Sequence, residues 1–177
     1  RRVRFADGSG VGYRRLVLAP GSSYDYFGRD AWAELAPGLK TIDDARAIRS
    51  RVLLNFERAE AIADPAEQAR LMTIVVVGGG PTGVEMAGAL AELTRWTLAR
   101  DFRRIDPARA RIVLVEAGPR LLGAFPEHLG AYAARRLAGL GVTVVTGRRV
   151  EDGRADGIVV GGERIPAGAI VWGAGTK

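Results

Sequence analysis

The 177-residue sequence contains no cysteine. Within it there is therefore no disulfide, no thiolate metal ligand and no cysteine nucleophile. Histidine is almost absent as well. His128 stands alone, so a histidine-cluster metal site is excluded, and a serine-histidine-aspartate triad would have to use this one residue. It lies in "FPEHLG", which reads as the first turn of a helix, and is expected at the surface. Lysine is scarce: of 26 cationic side chains, only Lys40 and Lys177 are not arginine. The formal charge is +6, but the arginines are scattered in pairs such as Arg14–Arg15, Arg103–Arg104, Arg135–Arg136 and Arg148–Arg149. With no long basic block and no interleaved aromatic platform, they read as solvated surface and not as a nucleic-acid face. Attraction to an anionic cofactor or to a membrane surface stays open on charge alone. No apolar run approaches the roughly 18 residues of a membrane-spanning helix. No signal peptide is recognisable. The chain opens with "RRVRFADG", which reads as the middle of a β-hairpin, and the expectation is a piece of a longer protein.

What is present is an ordinary globular composition, 47% hydrophobic, with periodic segments. Residues 1–22 read as two strands, around Val3–Ala6 and Tyr13–Ala19, joined through Asp7, Gly8 and Gly10. Residues 23–40, with Tyr24, Tyr26, Phe27 and Trp32, read as a packed connection. "TIDDARAIRSRVLLNFERAEAIAD" reads as a helix. Thr41 and Asp44 are close to a capping box, and Ala45, Ile48, Val52, Phe56 and Ala59 form one apolar face. Pro65 follows its end. "TRWTLARDFRRIDPARA" reads as further helix or a helical excursion with a fresh start at Asp106-Pro107. "RIVLVEAG" (111–118) is a strand. "EHLGAYAARRLAGLG" is a helix with Leu129, Ala133, Leu137 and Leu140 on one face, ended by Gly139 or Gly141. "VTVVTG" is a strand. Residues 157–172 give short strands joined by Gly161-Gly162. Leu16–Ser22 also echoes Ile170–Thr176, either because two domains share one plan or because β-hairpins resemble one another by chance.

"TIVVVGGGPTGVEMAGALAEL" (73–93) carries the chemistry. Gly78, Gly80 and Gly83 form G-x-G-x-x-G between an apolar strand and an Ala-rich helix. The first glycine permits a tight turn, the second lets the backbone approach a pyrophosphate, and the third lets helix and strand pack closely. The amides and positive dipole end of the helix then hold phosphate. Pro81 suits the first helical turn, and Thr82 adds a hydroxyl. With this context the motif reads as a dinucleotide site. Glu116, ending "RIVLVE" beside Ala117, is placed to accept hydrogen bonds from adenosine ribose hydroxyls and to repel a 2′-phosphate. That favours NAD(H), although Arg120 nearby leaves NADP open. The distance from Gly83 exceeds the usual ~20 residues, and the Trp96–Ala110 excursion accounts for the excess. Glu85, one turn into the helix, points toward the nicotinamide end, where a carboxylate orients the ring or relays a proton. The order from 73 to 146 is β-α-β-α-β. It is one mononucleotide-binding half of a Rossmann fold, closed by a β-hairpin or meander. The first such motif in a flavin- or NAD-binding chain usually lies near the N-terminus, yet more than seventy residues precede this one.

"GLKTIDDARAIRSRVLLNFERAE", "VVVGGGPTGVEMAGALAEL", "ARDFRRIDPARARIVLVEAGPRLLGAFPEHLGAYAARRLAGLGVTV" and "IVWGAG" together resemble the type II NADH dehydrogenases. The resemblance covers residues 12–177. It implies an α/β fold: a three-layer, Rossmann-like NAD-binding domain with a central parallel sheet, inserted in a split FAD domain. Residues 1–22 would end the first FAD segment, 23–72 connect, 73–172 bind NAD(H), and 173–177 return to the FAD domain. It further implies hydride transfer from NADH to FAD and reduction of a quinone, with the cofactors carrying the chemistry. By resemblance Gly78, Gly80, Thr82 and Gly83 hold the pyrophosphate and Glu116 the ribose. Ala174 and Gly175 face the nicotinamide, and Ala19–Ser22, Gly21 included, lie near FAD. Glu85 matches a glutamate between nicotinamide and flavin. The partners implied are the quinone, the remaining FAD segments and a membrane surface on the cytoplasmic side, reached through C-terminal amphipathic helices. A homodimer is compatible with this. Another flavoprotein reductase, of the ferredoxin or disulfide type, and a bare dinucleotide-binding module are the alternatives.

Overall fold

A computed structural model describes residues 1–176, so the expected return segment 173–177 is covered up to Thr176. At the N-terminus β1 (Arg2–Arg4) pairs antiparallel with β2 (Gly10–Gly12). The turn is held by Asp7, whose carboxylate accepts from the amide and hydroxyl of Ser9. The strand expected over Tyr13–Ala19 is not formed. A strand exists by pairing with a neighbour, and no strand among the described residues runs beside this segment. Val17 and Leu18 are left 86% and 81% exposed. The echo with Ile170–Thr176 thus fails as secondary structure. It persists only in the left-handed glycines that follow, Gly21 (φ +74°) and Gly175 (φ +72°).

A short helix α1 (Trp32–Leu35) precedes α2 (Ile42–Ala61). The capping box at the start of α2 is complete. Asp44's amide donates to the Thr41 hydroxyl, and Asp44's carboxylate accepts from the amides of Thr41 and Lys40. Burial alone would raise the Asp44 carboxyl, but these hydrogen bonds hold it below its ordinary value. Ile48, Val52, Phe56 and Ala59 are buried as their spacing requires. Ala45 is exposed, because the helix start projects past the layer it covers. Pro65 does more than follow a helix: capped by Asp64, it opens a further helix, α3 (Pro65–Leu71).

Then β3 (Thr73–Val77), α4 (Pro81–Glu92), β4 (Arg111–Val115), α5 (Glu127–Gly139) and β5 (Thr143–Val145) alternate. A three-stranded antiparallel meander follows, β6 (Val150–Arg154), β7 (Gly157–Val160) and β8 (Glu163–Pro166), before β9 (Ala169–Trp172). The turn between β7 and β8 uses Gly161 and Gly162, both at positive φ, as a tight hairpin does. The main sheet is parallel, in the order β5-β4-β3-β9. Alternate residues point to opposite faces. Ile74, Val76, Ile112, Leu114 and Val171 pack with α2, α4 and α5. Val75, Val77, Val113, Val115, Ile170 and Trp172 pack with Ile158 and Val160 of the meander. The result is three layers: helices, parallel sheet, meander. Each fully buried Val, Ile or Leu contributes about 1.5–3 kcal/mol. In α5, Leu129 is exposed and Gly130 is buried instead. A Cβ on Gly130 would overlap the carbonyl oxygen of Leu121, so the helix packs there through backbone. Gly139 closes the helix and Gly141, at φ +80°, reverses the chain.

The excursion after α4 is a π-turn (Leu93–Thr97), a 3-10 turn (Leu98–Arg100) and, after Asp106 caps Ala108, another 3-10 turn (Pro107–Arg109). Glu60 of α2 ties it down. Its carboxylate accepts from the amides of Arg103, Arg104 and Ile105 at 2.9–3.0 Å. Burial would raise the Glu60 carboxyl, but those amides and the Arg104 charge lower it. A carboxyl held low in the folded state stabilises above its unfolded pKa and loses that contribution as the pH falls through the folded value. Glu60→Gln is therefore expected to lower Tm at pH 7 and to flatten the acid side of the stability profile. Hydrogen exchange at Arg103–Ile105 should accelerate. An unchanged acid limb with unchanged exchange would show that the excursion is held by other contacts.

Candidate functional site

Parallel strands deliver their carboxyl ends to one sheet edge, where α/β proteins place ligands. Here that edge carries Val77, Gly78, Gly80, Val115–Ala117, Arg148–Val150 and Trp172–Gly175, which line one cleft of about 600 Å³. The glycines between β3 and α4 differ in what they avoid. Gly78 is at φ +104°, and a Cβ there would lie 2.6 Å from the backbone nitrogen of Ala174. A Cβ on Gly83 would overlap the carbonyl oxygen of Gly78. A Cβ on Gly79 would come within 2.9 Å of the Glu116 side chain. Gly80 alone meets nothing within 4 Å. Three glycines are thus required by protein packing, and the fourth leaves open space on the cleft side. Pro81 and Thr82 form the exposed first turn of α4, whose leading amides have no intrahelical carbonyl to bond.

Glu116 stands at the cleft between two backbone amides. Gly79 N–H donates to one carboxylate oxygen at 2.5 Å, and Gly118 N–H to the other at 2.6 Å. Lone-pair capacity remains on both oxygens. Arg120, the residue that left NADP open, turns away: its guanidinium donates to the carbonyls of Leu122, Gly123 and Phe125 and organises that loop. The cations that line the cleft are instead Arg29 and, after β5, Arg148 and Arg149. Arg148 pairs weakly with Glu163 at 3.7 Å in an exposed position.

The opposite wall comes from residues 24–35, which the sequence reading treated as a connection. Tyr26 stacks on Trp172 with ring centroids 5.0 Å apart, and Trp32 meets the same indole edge-on at 5.8 Å. The Arg29 guanidinium lies 4.7 Å over Trp32. Tyr26 donates its hydroxyl to the Ala36 carbonyl. Burial first, and then the Asp44 charge, push its pKa up, so the phenol stays protonated.

Of the residues selected from sequence, Gly78, Gly80, Glu116, Ala117, Ala174 and Gly175 line the cleft, and Pro81, Thr82 and Gly83 adjoin it. Glu85 is exposed on α4 outside the cleft wall, and Ala19 and Gly21 are exposed outside it too. Tyr26, Phe27, Arg29, Trp32, Arg148, Arg149 and Trp172 were not foreseen. The arginine pair alone left a signal, since it directly follows a strand of the parallel sheet.

A family model described as pyridine nucleotide-disulphide oxidoreductase matches residues 1–177. The chain belongs to that family. The type II NADH:quinone oxidoreductase Ndh of Mycobacterium tuberculosis is 46% identical over 170 residues, 93% of this chain and 37% of that protein. The external alternative NAD(P)H-ubiquinone oxidoreductase B1 of Arabidopsis thaliana is 34% identical over 179 residues, 94% of this chain and 31% of that protein. The structure of NDH2 from Plasmodium falciparum in complex with NADH superposes with TM-score 0.83 over 99% of this chain and 37% of that one, at 23% identity. This last likeness is one of fold. The chain spans about a third of the length of these relatives.

Membership of the family raises the question of whether a pyridine dinucleotide fits. The open space at Gly80, the amides opening α4 and the carboxylate fixed at the end of β4 are the features such a ligand needs. The glycine roles predict a split between two substitutions. Gly83→Ala forces α4 away from β3 and is expected to cost about 1–3 kcal/mol as overpacking does. Gly80→Ala is expected to change stability by about 1 kcal/mol or less, as exchanges at helix caps do. Urea unfolding of both variants checks this, and equal destabilisation would contradict it.

Proposed function

We propose that this chain is the NADH-binding part of a flavin-dependent oxidoreductase that passes hydride from NADH to FAD and on to a quinone. The observation that carries the reading is the cleft at the carboxyl sheet edge, with open space at Gly80 and an amide-held Glu116. It is joined to 46% identity with a type II NADH:quinone oxidoreductase. Bound NADH and FAD supply the redox chemistry. The chain's residues bind and orient. The first turn of α4 faces the pyrophosphate through its dipole and the amides of Gly80, Thr82 and Gly83, with Pro81, which has no N–H, setting the turn. Glu116 accepts from the ribose hydroxyls, with Ala117 beside it. Ala174 and Gly175 carry little side-chain bulk where the nicotinamide enters. Glu85, exposed one turn along α4, is assigned to the nicotinamide end on the flavin side.

In this reading residues 73–172 are the NAD(H) domain and 23–72 the connection, while 1–22 and 173–177 belong to a split FAD domain, with Ala19 and Gly21 near the flavin. The exposed run Leu16–Leu18 supports it, being what a strand looks like when its neighbours come from another segment. On this reading the parent protein works at the cytoplasmic face of the membrane, where a quinone is reached.

The test is calorimetric titration with NADH and NADPH. NADH is expected to bind more tightly, and Gly80→Val and Glu116→Arg should each weaken NADH binding by about tenfold or more, ~1.4 kcal/mol. Equal affinity for the two nucleotides, or none for either, would overturn the assignment.

A further inference from the structure

Phe27 is in a conformation that phenylalanine avoids. Its φ is +53° and that of Gly28 is +81°. Arg29 N–H donates to the Tyr26 carbonyl across them. Two consecutive positive φ angles inside such a turn are the pattern of a type I′ turn, whose first central position favours Asn, Asp or Gly. A bulky aromatic there is strained. Nor is the ring sheltered: Phe27 is 66% exposed and lines the cleft. Burial does not explain a strained, solvent-facing phenylalanine.

The turn is nevertheless pinned from three directions, all through Asp25. Its carboxylate accepts from the Phe27 amide at 2.8 Å, its backbone carbonyl accepts from the Trp172 indole at 3.0 Å, and its amide donates to the Gly175 carbonyl at 3.3 Å. The Phe27 ring is thereby held beside Trp172, with centroids 6.3 Å apart, and above Gly175, where a Cβ would come within 2.7 Å of its Cζ. Strain that the surroundings enforce, at a ligand cleft, points to a function for the strained group.

We propose that Phe27 is a binding residue that packs its ring against the nicotinamide half of the bound dinucleotide. The inference rests on the NADH reading above and deepens it. Gly173–Gly175 bring backbone with only the Ala174 methyl to this end of the cleft, and Phe27, exposed beside the buried Trp172, offers an aromatic face to a flat ligand ring there. An offset or edge contact between two flat rings is worth enough to be read in affinity.

The experiment uses the full-length protein and three variants, Phe27→Asn, Phe27→Gly and Phe27→Leu. Asn and Gly suit the turn, so the unliganded protein should keep or raise its Tm. Their NADH Kd should rise by about tenfold, the order expected for one aromatic contact and its buried area. The Kd for ADP-ribose, which lacks the nicotinamide, should stay unchanged. Phe27→Leu should fall between. Unchanged NADH affinity overturns the inference while leaving the NADH reading intact. Equal weakening of NADH and ADP-ribose, or a marked loss of Tm in all three variants, also overturns it, since the ring then serves the cleft wall and not the nicotinamide. Wild-type protein that binds neither ligand overturns the NADH reading and this inference together.

Discussion

The site depends on how closely the first turn of α4 approaches the end of β3. Gly83 has no Cβ, and its place is taken by the carbonyl oxygen of Gly78. That contact aims the amino end of α4 across the sheet edge and fixes the path of Gly79 and Gly80. Gly79 then has room for the Glu116 side chain, and its amide meets the Glu116 carboxylate. The ends of β3 and β4 are thus joined beyond their last paired residues. Gly78 in turn lies against Ala174, which follows β9. The missing side chains of Gly78, Gly79 and Gly83 together therefore set the relative positions of three strand ends, and the cleft is the space between them.

Much of this was legible in sequence, and the failures have physical reasons. After their first residues, Thr73 and Arg111, the runs "TIVVV" and "RIVLV" are buried on both faces, so they are continuously apolar and cannot be mistaken for surface. The glycine pattern is legible because steric exclusion by backbone has one chemical answer. By contrast β6, "VEDGR", has no apolar alternation because only Val150 of it packs against the core, and nothing in it signals a strand. Residues 13–19 fail in the opposite sense: "YRRLVLA" has strand composition, but pairing depends on a neighbour that local sequence does not encode. The aromatic wall was missed for the same reason. Tyr26, Phe27 and Trp32 become a site only when Trp172, some 140 residues later, is set among them.

A chain without cysteine and with one histidine fixes its loops by another device. Carboxylates accept from backbone amides at each critical turn. Asp25 does so under Phe27, Asp44 at the start of α2, Glu60 under the excursion, Asp64 and Asp106 at helical starts, and Glu116 where β3 and β4 end. Charge-assisted hydrogen bonds of this kind are short and directional. They also separate the two roles of acidic residues here. Those that hold backbone fix turns, loops and helix starts, whereas ion pairs such as Arg46 with Asp43 lie in solvent and add little.

On the NADH reading, the same device bears on selectivity at the adenosine end. Glu116 is held by two amides, so its carboxylate is positioned before any ligand arrives. A 2′-phosphate placed about 4 Å away meets a repulsion of roughly 1 kcal/mol in water and ~4 kcal/mol at a protein surface. The opposing attraction would come from Arg148 and Arg149, on long side chains. Arg148 is half-exposed and paired with Glu163. To meet a phosphate, an arginine must give up rotamer freedom worth up to about 2 kcal/mol. The fixed carboxylate repels without such a loss. Selectivity is then a difference between a preorganised repulsion and a mobile attraction. On this reading the two arginines offset part of that repulsion, so discrimination against NADPH would be graded and not absolute.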